Sequence, residues 1–243
     1  MTEELDQLLK NLRLKRIHEI LDREVNRAQK RKKKPSYTDF LARLLREEYY
    51  YKKDRAMMYR IRRAKLPEEW SLETFPFDQQ SGVHEATIRQ LAELDFIPRA
   101  QNLVFIGDTG VGKTGLAVSI LRKALENGYR GLFVKAQDLF DEMYQSLADR
   151  SSRKLINRLV RMDLLLIDEM GYLNLRPEQS NIFFKLMEER YNRKPTIITT
   201  NLIYEEWYDF LGNKKMVHAL LDRLRHHCHT ISIEGPSLRS ETN

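Results

Sequence analysis

The segment Gly107-Asp-Thr-Gly-Val-Gly-Lys-Thr114 constrains the fold more than any other part of this 243-residue chain. It matches the pattern G-x-x-x-x-G-K-[ST] and lies between an apolar run and a helical pattern, as a phosphate-binding loop requires. Its glycines permit a tight turn, and its backbone N–H groups would meet phosphate oxygens at the positive end of the next helix. The candidate nucleotide contacts are Gly107, Asp108, Thr109, Gly110, Val111, Gly112, Lys113, Thr114 and Gly115.

Short apolar runs alternate with helical patterns from residue 100 onward. The runs cover residues 102–106, 131–135, 163–167, 196–199 and 229–233. Strands that are buried on both faces read as continuous apolar runs, and such strands alternating with helices are typical of a covered parallel sheet. The pattern predicts an α/β fold with a five-stranded parallel sheet flanked by helices.

Polar residues follow two of these runs, at the sheet edge where open α/β folds bind ligands. Lys113 would face the β- and γ-phosphates of ATP, and Thr114 with Asp168 would hold Mg²⁺. Glu169 is the candidate base for the attacking water. Asn201, after a further strand, is a candidate contact for the γ-phosphate or that water. An asparagine that only forms a turn would give the same sequence pattern.

The excess positive charge of the chain lies near its N-terminus. Residues 1–70 carry 20 Lys/Arg against 12 Asp/Glu, whereas residues 71–243 carry 22 against 23. Such an asymmetry suggests an anionic partner, with nucleic acid the first candidate, although a solvated basic helix face is the alternative. Two basic clusters are candidate DNA contacts: Lys30, Arg31, Lys32, Lys33 and Lys34, and then Arg60, Arg62, Arg63 and Lys65.

Helical patterns fill this N-terminal part. Residues 3–21 are predicted as one amphipathic helix, and Ser36 with Asp39 resembles a capping box that opens a second. Pro67 and Pro76 indicate a linker near residues 66–80. We therefore expect a small helical basic domain over residues 1–65 and an ATPase domain over residues 66–243.

A second basic surface is predicted farther along the chain. Arg150, Arg153 and Lys154 begin a polar helix face, which continues to Arg161 at helical spacing. Such a face could line a DNA channel with Lys135 nearby, and a merely solvated face is the alternative.

Membrane and secretory classes are excluded by composition and pattern. The longest apolar runs are four residues, whereas a membrane-spanning helix needs about 20. The single cysteine, Cys228, cannot form an internal disulfide, so we expect a cytoplasmic protein with no membrane partner.

With these motifs in place, residues 66–243 resemble the AAA+ ATPases of the DnaC/IstB kind, and the match is close to the IstB-like transposition helpers. The resemblance rests on the phosphate loop and on several other segments: Phe75-Pro-Phe77, Asp163-Leu-Leu-Leu-Ile-Asp-Glu-Met-Gly-Tyr-Leu173, Glu189-Arg-Tyr191, Thr200-Asn-Leu202 and Ala219-Leu-Leu-Asp-Arg-Leu-Arg225.

This resemblance implies a function and further residues. IstB-like proteins assemble with ATP into rings or helices on duplex DNA, remodel target DNA, and recruit and stimulate a transposase. ATP would lie between subunits, and Arg223 matches the arginine that one subunit inserts into its neighbour's site, with Arg225 as the neighbouring alternative. Arg239 matches a sensor arginine. A C-terminal lid domain is not expected in this branch.

Two other functions remain open at the level of sequence. A replicative helicase loader of the DnaC kind shares the ATPase core, and its N-terminal domain would dock a helicase rather than DNA. A small-molecule kinase with a phosphate loop would need a second substrate pocket and no arginine from a neighbour.

Overall fold

In the computed structural model, residues 2–67, 70–80 and 82–238 are described. The chain divides into two compact units, Met1–Tyr59 and Arg60–Asn243. The helices are α1 (Glu3–Asn11), α2 (Lys15–Gln29), α3 (Tyr37–Arg63), α4 (Glu85–Leu91), α5 (Lys113–Glu126), α6 (Ala136–Ala148), α7 (Ser152–Val160), α8 (Pro177–Arg190), α9 (Trp207–Leu211) and α10 (Lys214–His226). The strands are β1 (Asn102–Gly107), β2 (Gly131–Lys135), β3 (Leu164–Met170), β4 (Thr196–Thr200) and β5 (Cys228–Ile233).

The five strands form one parallel sheet in the order β2-β3-β4-β1-β5. Apolar side chains on its two faces enter separate core clusters, one containing Leu103 and Leu166 with α5, the other Val104 and Ile167 with α6 to α10. Both faces of the sheet are therefore covered, and the predicted α/β class and all five predicted strands are confirmed. Within the described ranges, no helix has both the length and the apolar character to cross a membrane.

The prediction of one helix over residues 3–21 is wrong, because α1 ends at Asn11 and α2 begins at Lys15. Arg13 adopts φ 54°, and the N–H groups of Arg13 and Leu14 donate to the carbonyls of Lys10 and Leu9. This pattern is a Schellman motif, which ends a helix even without glycine. The carboxylate of Glu48 in α3 then accepts the N–H of Ile17, 2.9 Å away, in the first turn of α2.

The described part of the predicted linker, residues 66, 67 and 70–80, is packed onto the second unit. Leu72 and Phe75 are buried in the core of the second unit, and the fully buried side chain of Gln80 donates to the carbonyl of Pro236 over 2.6 Å. The two prolines interrupt regular structure here, but the apolar residues Leu72 and Phe75 between them pack onto the core of the second unit.

Charged side chains tie the amino end of β3 to its surroundings. Asp163 accepts hydrogen bonds from the guanidinium of Arg130 at 3.1 Å and from Lys194 at 2.5 Å. These partners hold the pKa of Asp163 well below its usual value, although burial opposes them. Nearby, the buried guanidinium of Arg190 donates to the carbonyls of Leu159 and Met162, and burial lowers its pKa to about 9.

Asp163→Asn is expected to lower the free energy of unfolding by about 2 kcal/mol at neutral pH, since charge-assisted hydrogen bonds are lost. A carboxylate whose pKa is lowered on folding stabilises the protein above its unfolded pKa, and this contribution disappears as pH falls through the folded pKa. Chemical denaturation of wild type and variant across pH should show the difference at pH 7 and its decline below about pH 4. Asp209→Asn, at an exposed position of α9, is the control.

Candidate functional site

The phosphate loop joins β1 to α5, as its sequence predicts. Gly112 precedes the first residue of α5 and adopts φ +96°. A Cβ at Gly112 would lie 2.7 Å from the ring of Phe75, so the segment that packs beneath the loop also excludes any other residue there. The N-terminus of α5 follows this loop directly, and an anion would be stabilised there.

A cavity of about 680 Å³ opens beside this loop, and residues of β2, β3 and β4 contribute to its wall together with the loop after β1. Lys113 is largely buried, and its ammonium donates to the carbonyls of Gly107 and Asp108 at 2.7 Å each. The remaining lining residues include Pro67, Trp70, Thr109, Thr114, Phe133, Lys135, Asp168, Glu169, Tyr172, Thr199 and Leu238. The structure thus brings the phosphate loop and both predicted carboxylates to one cavity.

Asp168 is almost fully buried at the carboxyl end of β3, where its Oδ1 accepts two hydroxyl hydrogen bonds. Thr114 lies 2.8 Å away and Thr199 2.5 Å away. Burial raises the pKa of Asp168, and the two hydroxyl groups oppose that rise. Hydroxyl and carboxylate oxygens at hydrogen-bond distance are the donors that Mg²⁺ takes together with substrate phosphates, so Thr114 and Asp168 fit that ion.

Glu169 is held in a costly backbone conformation. Its φ is +59°, which is uncommon for a residue with a side chain, and β3 shifts register against β4 between Ile167 and Met170. The N–H of Glu169 donates to Thr199 Oγ1 over 2.9 Å, and its carboxylate lies 3.3 Å from the ammonium of Lys135. This bulge directs the Glu169 side chain into the cavity beside Asp168.

Comparison with known proteins identifies the family to which this site belongs. Residues 7–243 match the family described as IstB-like ATP binding protein. This chain is an IstB-like protein. The family membership agrees with the resemblance inferred from the motifs and places the chain among ATP-binding proteins of insertion sequences.

Two relatives cover most of the IstB-like chain. The protein named for ATP binding in insertion sequence IS5376 of Geobacillus stearothermophilus is 38% identical over 84% of this chain and 81% of its own. Its counterpart in IS21 of Pseudomonas aeruginosa is 33% identical over 97% and 88%. Among solved structures, the DnaC helicase loader is 26% identical, with a TM-score of 0.54 over 62% of this chain and 88% of its own. The predicted AAA+ fold is thereby confirmed.

Asn201 of the IstB-like protein is not among the described residues that line the cavity. Asn201 Oδ1 is buried without a hydrogen-bond partner among the described residues, and it lies 2.9 Å from where a Cβ on Gly171 would be. The neighbouring strand residue Thr199 reaches the cavity instead. Its hydroxyl contacts both the Asp168 carboxylate and the Glu169 backbone, so Thr199 is a site residue that the motif analysis missed.

Arg223 lies on α10, at a groove of about 430 Å³ formed with α8. Its guanidinium is 3.8 Å from Glu188 and sits over the ring of Tyr191 at 5.9 Å, and the side chain is 43% exposed. Arg225 instead covers the ring of Tyr204 at 4.6 Å. Neither arginine is among the described residues that line the nucleotide cavity of the same chain. Arg239, the candidate sensor arginine, lies outside the described residues.

The candidate DNA contacts occupy different environments. Residues 30–34 are exposed between α2 and α3. Arg60 Nε, in contrast, donates to the carbonyl of Leu125 over 2.9 Å, and Lys135 lines the nucleotide cavity. On α7, Arg153 pairs with Glu189 and Arg158 pairs with Glu142, so part of the charge of that face is neutralised within the chain.

Proposed function

We propose that this protein is an ATPase of its insertion sequence: it assembles with ATP on duplex DNA, remodels that DNA, and recruits and stimulates the transposase. Lys113 would bind the β- and γ-phosphates, Thr114 and Asp168 would hold Mg²⁺, and Glu169 would take a proton from the attacking water. The bound Mg²⁺ would neutralise charge on the phosphates. Thr199 would orient Asp168 and Glu169, because its hydroxyl donates to the Asp168 carboxylate and accepts the N–H of Glu169.

One observation carries the proposal of a shared site. The described wall of the cavity contains Lys113 and Lys135 but no arginine, while Arg223 is half-exposed at a separate groove. Charge on the γ-phosphate is stabilised in many nucleotide hydrolases by an arginine supplied from another protein. A second copy of this chain, presenting Arg223, would complete the site and thereby couple hydrolysis to assembly.

Imaging the protein with duplex DNA and a non-hydrolysable ATP analogue tests this function directly. Regular multimers on DNA are expected with the analogue and not with Lys113→Ala, which removes the charge facing the phosphates. Monomers on DNA, or multimers that form equally without nucleotide, would contradict the proposed coupling of ATP to assembly.

The helicase-loader function is the alternative that the likeness to the DnaC helicase loader supports. The two functions differ in what the N-terminal unit contacts. The net charge of +8 over residues 1–70 favours an anionic partner, and the exposed basic residues 30–34 offer phosphate contacts without base recognition.

The salt dependence of DNA binding distinguishes the two. Changing Lys30, Arg31, Lys32, Lys33, Lys34, Arg62, Arg63 and Lys65 to Gln should weaken binding to all duplex sequences alike. Each phosphate contact contributes about 0.9 to the slope of log affinity against log salt, so three lost contacts flatten it by about 2.7 per protomer. Arg60 is left unchanged in this variant because its guanidinium donates a hydrogen bond to the carbonyl of Leu125 within the second unit. ATP hydrolysis without DNA should survive.

The matched control changes Arg150, Lys154 and Arg161 to Gln, on the α7 face, and is measured over the same salt range. The N-terminal variant could keep the wild-type salt slope and DNA affinity while the α7 variant shows a flatter slope and weaker binding. In that case the phosphate contacts are made by the α7 face. The N-terminal unit would then be a protein-docking element, as the helicase-loader function requires.

A further inference from the structure

A hydrogen bond joins the phosphate loop to the segment that follows β3. The hydroxyl oxygens of Tyr172 and Thr109 are 2.8 Å apart, although the two residues are 63 positions apart in sequence. Both line the nucleotide cavity, and Tyr172 is 53% exposed, so the bond lies at the cavity's outer rim. None of the nucleotide chemistry described above uses it.

The turn at Gly171 brings Tyr172 to this position. Gly171 adopts φ +117°, and a Cβ there would lie 2.6 Å from Leu202 Cγ. The backbone of Gly171 thus packs directly on the residues that follow β4, and a side chain would force the turn away from them. The next residue, Tyr172, then reaches across to the phosphate loop.

Glu169, three residues before Tyr172, needs support from its surroundings. A left-handed conformation at a non-glycine residue persists only where neighbouring groups hold it. Thr199 holds the backbone N–H of Glu169, and Lys135 pairs with its carboxylate. Tyr172 anchors the other end of the same short segment, and its anchor point is the loop that would wrap the phosphates.

We propose that Tyr172 is a positioning residue: its hydrogen bond to Thr109 fixes the segment from Glu169 to Tyr172 against the phosphate loop. The Glu169 carboxylate is thereby kept at the place where the γ-phosphate is attacked. Tyr172 acts through Thr109 and Glu169 and does not itself contact the reacting atoms. The inference rests on the proposed hydrolysis and assigns one more residue to it.

Steady-state ATP hydrolysis by the full chain with duplex DNA tests the proposal. Tyr172→Phe and Thr109→Val each remove one hydroxyl, and each should lower kcat about three- to tenfold, as expected for the loss of one hydrogen bond, while KM changes less than about twofold. The double variant should match either single variant, because all three lack the same bond.

Two further variants separate this bond from general effects of substitution. Thr109→Ser keeps the hydroxyl and should recover part of the kcat that Thr109→Val loses. Tyr208→Phe removes a hydroxyl that bonds His218 at 3.2 Å on α9 and α10, away from the cavity, and should leave kcat unchanged. A wild-type kcat for Tyr172→Phe, effects that multiply in the double variant, or a rise in KM alone would overturn the proposal.

A second measurement does not depend on turnover. ADP bound with aluminium fluoride imitates the γ-phosphoryl group in transfer, so its release reports how well the surrounding groups are placed. Trapped ADP should dissociate from Tyr172→Phe and Thr109→Val about three- to tenfold faster than from wild type. ADP without aluminium fluoride should dissociate from all three proteins at the same rate. Equal release of trapped ADP would overturn the role of Tyr172. If the wild-type protein traps ADP with aluminium fluoride but hydrolyses no ATP, the proposed ATPase activity is wrong. Faster release of trapped ADP from the two variants than from wild type would still support the positioning role of Tyr172.

Discussion

Glu169→Gln is expected to lower kcat for ATP hydrolysis by about 10²- to 10⁴-fold, since a positioned general base contributes that much to such reactions. The amide is nearly the same size as the carboxylate but cannot accept the proton of the attacking water. ATP affinity should stay near that of wild type, because Lys113 and the phosphate loop are unchanged. Steady-state hydrolysis and direct ATP binding, measured on the same preparation, check both halves of this expectation.

Glu178→Gln is the matched control, because Glu178 is exposed in the first turn of α8 and does not line the cavity. It should hydrolyse ATP as wild type does. The Glu169 variant should also accumulate as ATP-bound multimers on DNA, since assembly continues while hydrolysis stops. Normal turnover by Glu169→Gln would mean that another group is the base.

Mixing two inactive variants should restore part of the ATPase activity. Lys113→Ala should abolish ATP binding but still present an intact Arg223 to its neighbour. Arg223→Ala should fold and bind ATP, yet lose about 10³-fold or more in hydrolysis when no arginine reaches the γ-phosphate. In a mixed multimer, some sites combine an intact phosphate loop with an intact arginine. Activity plotted against mixing ratio should therefore pass through a maximum.

Arg225→Ala, mixed with Lys113→Ala in the same way, separates the two candidate arginines. Arg225 covers the Tyr204 ring within its own chain and should retain activity by itself if Arg223 is the residue supplied in trans. Should Arg223→Ala recover no activity at any ratio, while cross-linking shows that mixed multimers form, the site is not shared between subunits.

Much of the second unit follows from local sequence patterns. All five strands lie where continuous apolar runs predict them, because a strand buried on both faces must be apolar at every position. The phosphate loop is equally local, since Gly112 takes a conformation that disfavours other residues and sits directly before α5. The family resemblance added the expected AAA+ fold, which the comparison with the DnaC helicase loader confirms.

Contacts between distant residues decided what local patterns could not. The break between α1 and α2 falls inside a continuous helical periodicity, and Glu48, 31 positions away, caps the start of α2. The prolines near residues 66–80 indicate a linker, yet Phe75 packs against Gly112 of the phosphate loop. Periodicity carries no information about a partner on another element, so neither outcome could be predicted from it.

The same division applies to the site. The sequence by itself determined which groups have the chemistry for nucleotide binding: Lys113, Thr114, Asp168 and Glu169, each within or next to a recognisable motif. Only the tertiary structure placed Thr199 and Tyr172 beside these groups. Thr199 is hydrogen-bonded to Asp168 and Glu169, and Tyr172 to Thr109, and all three partners are at least 30 positions away in sequence. A motif records neighbours along the chain, whereas the orientation of a carboxylate depends on neighbours in space.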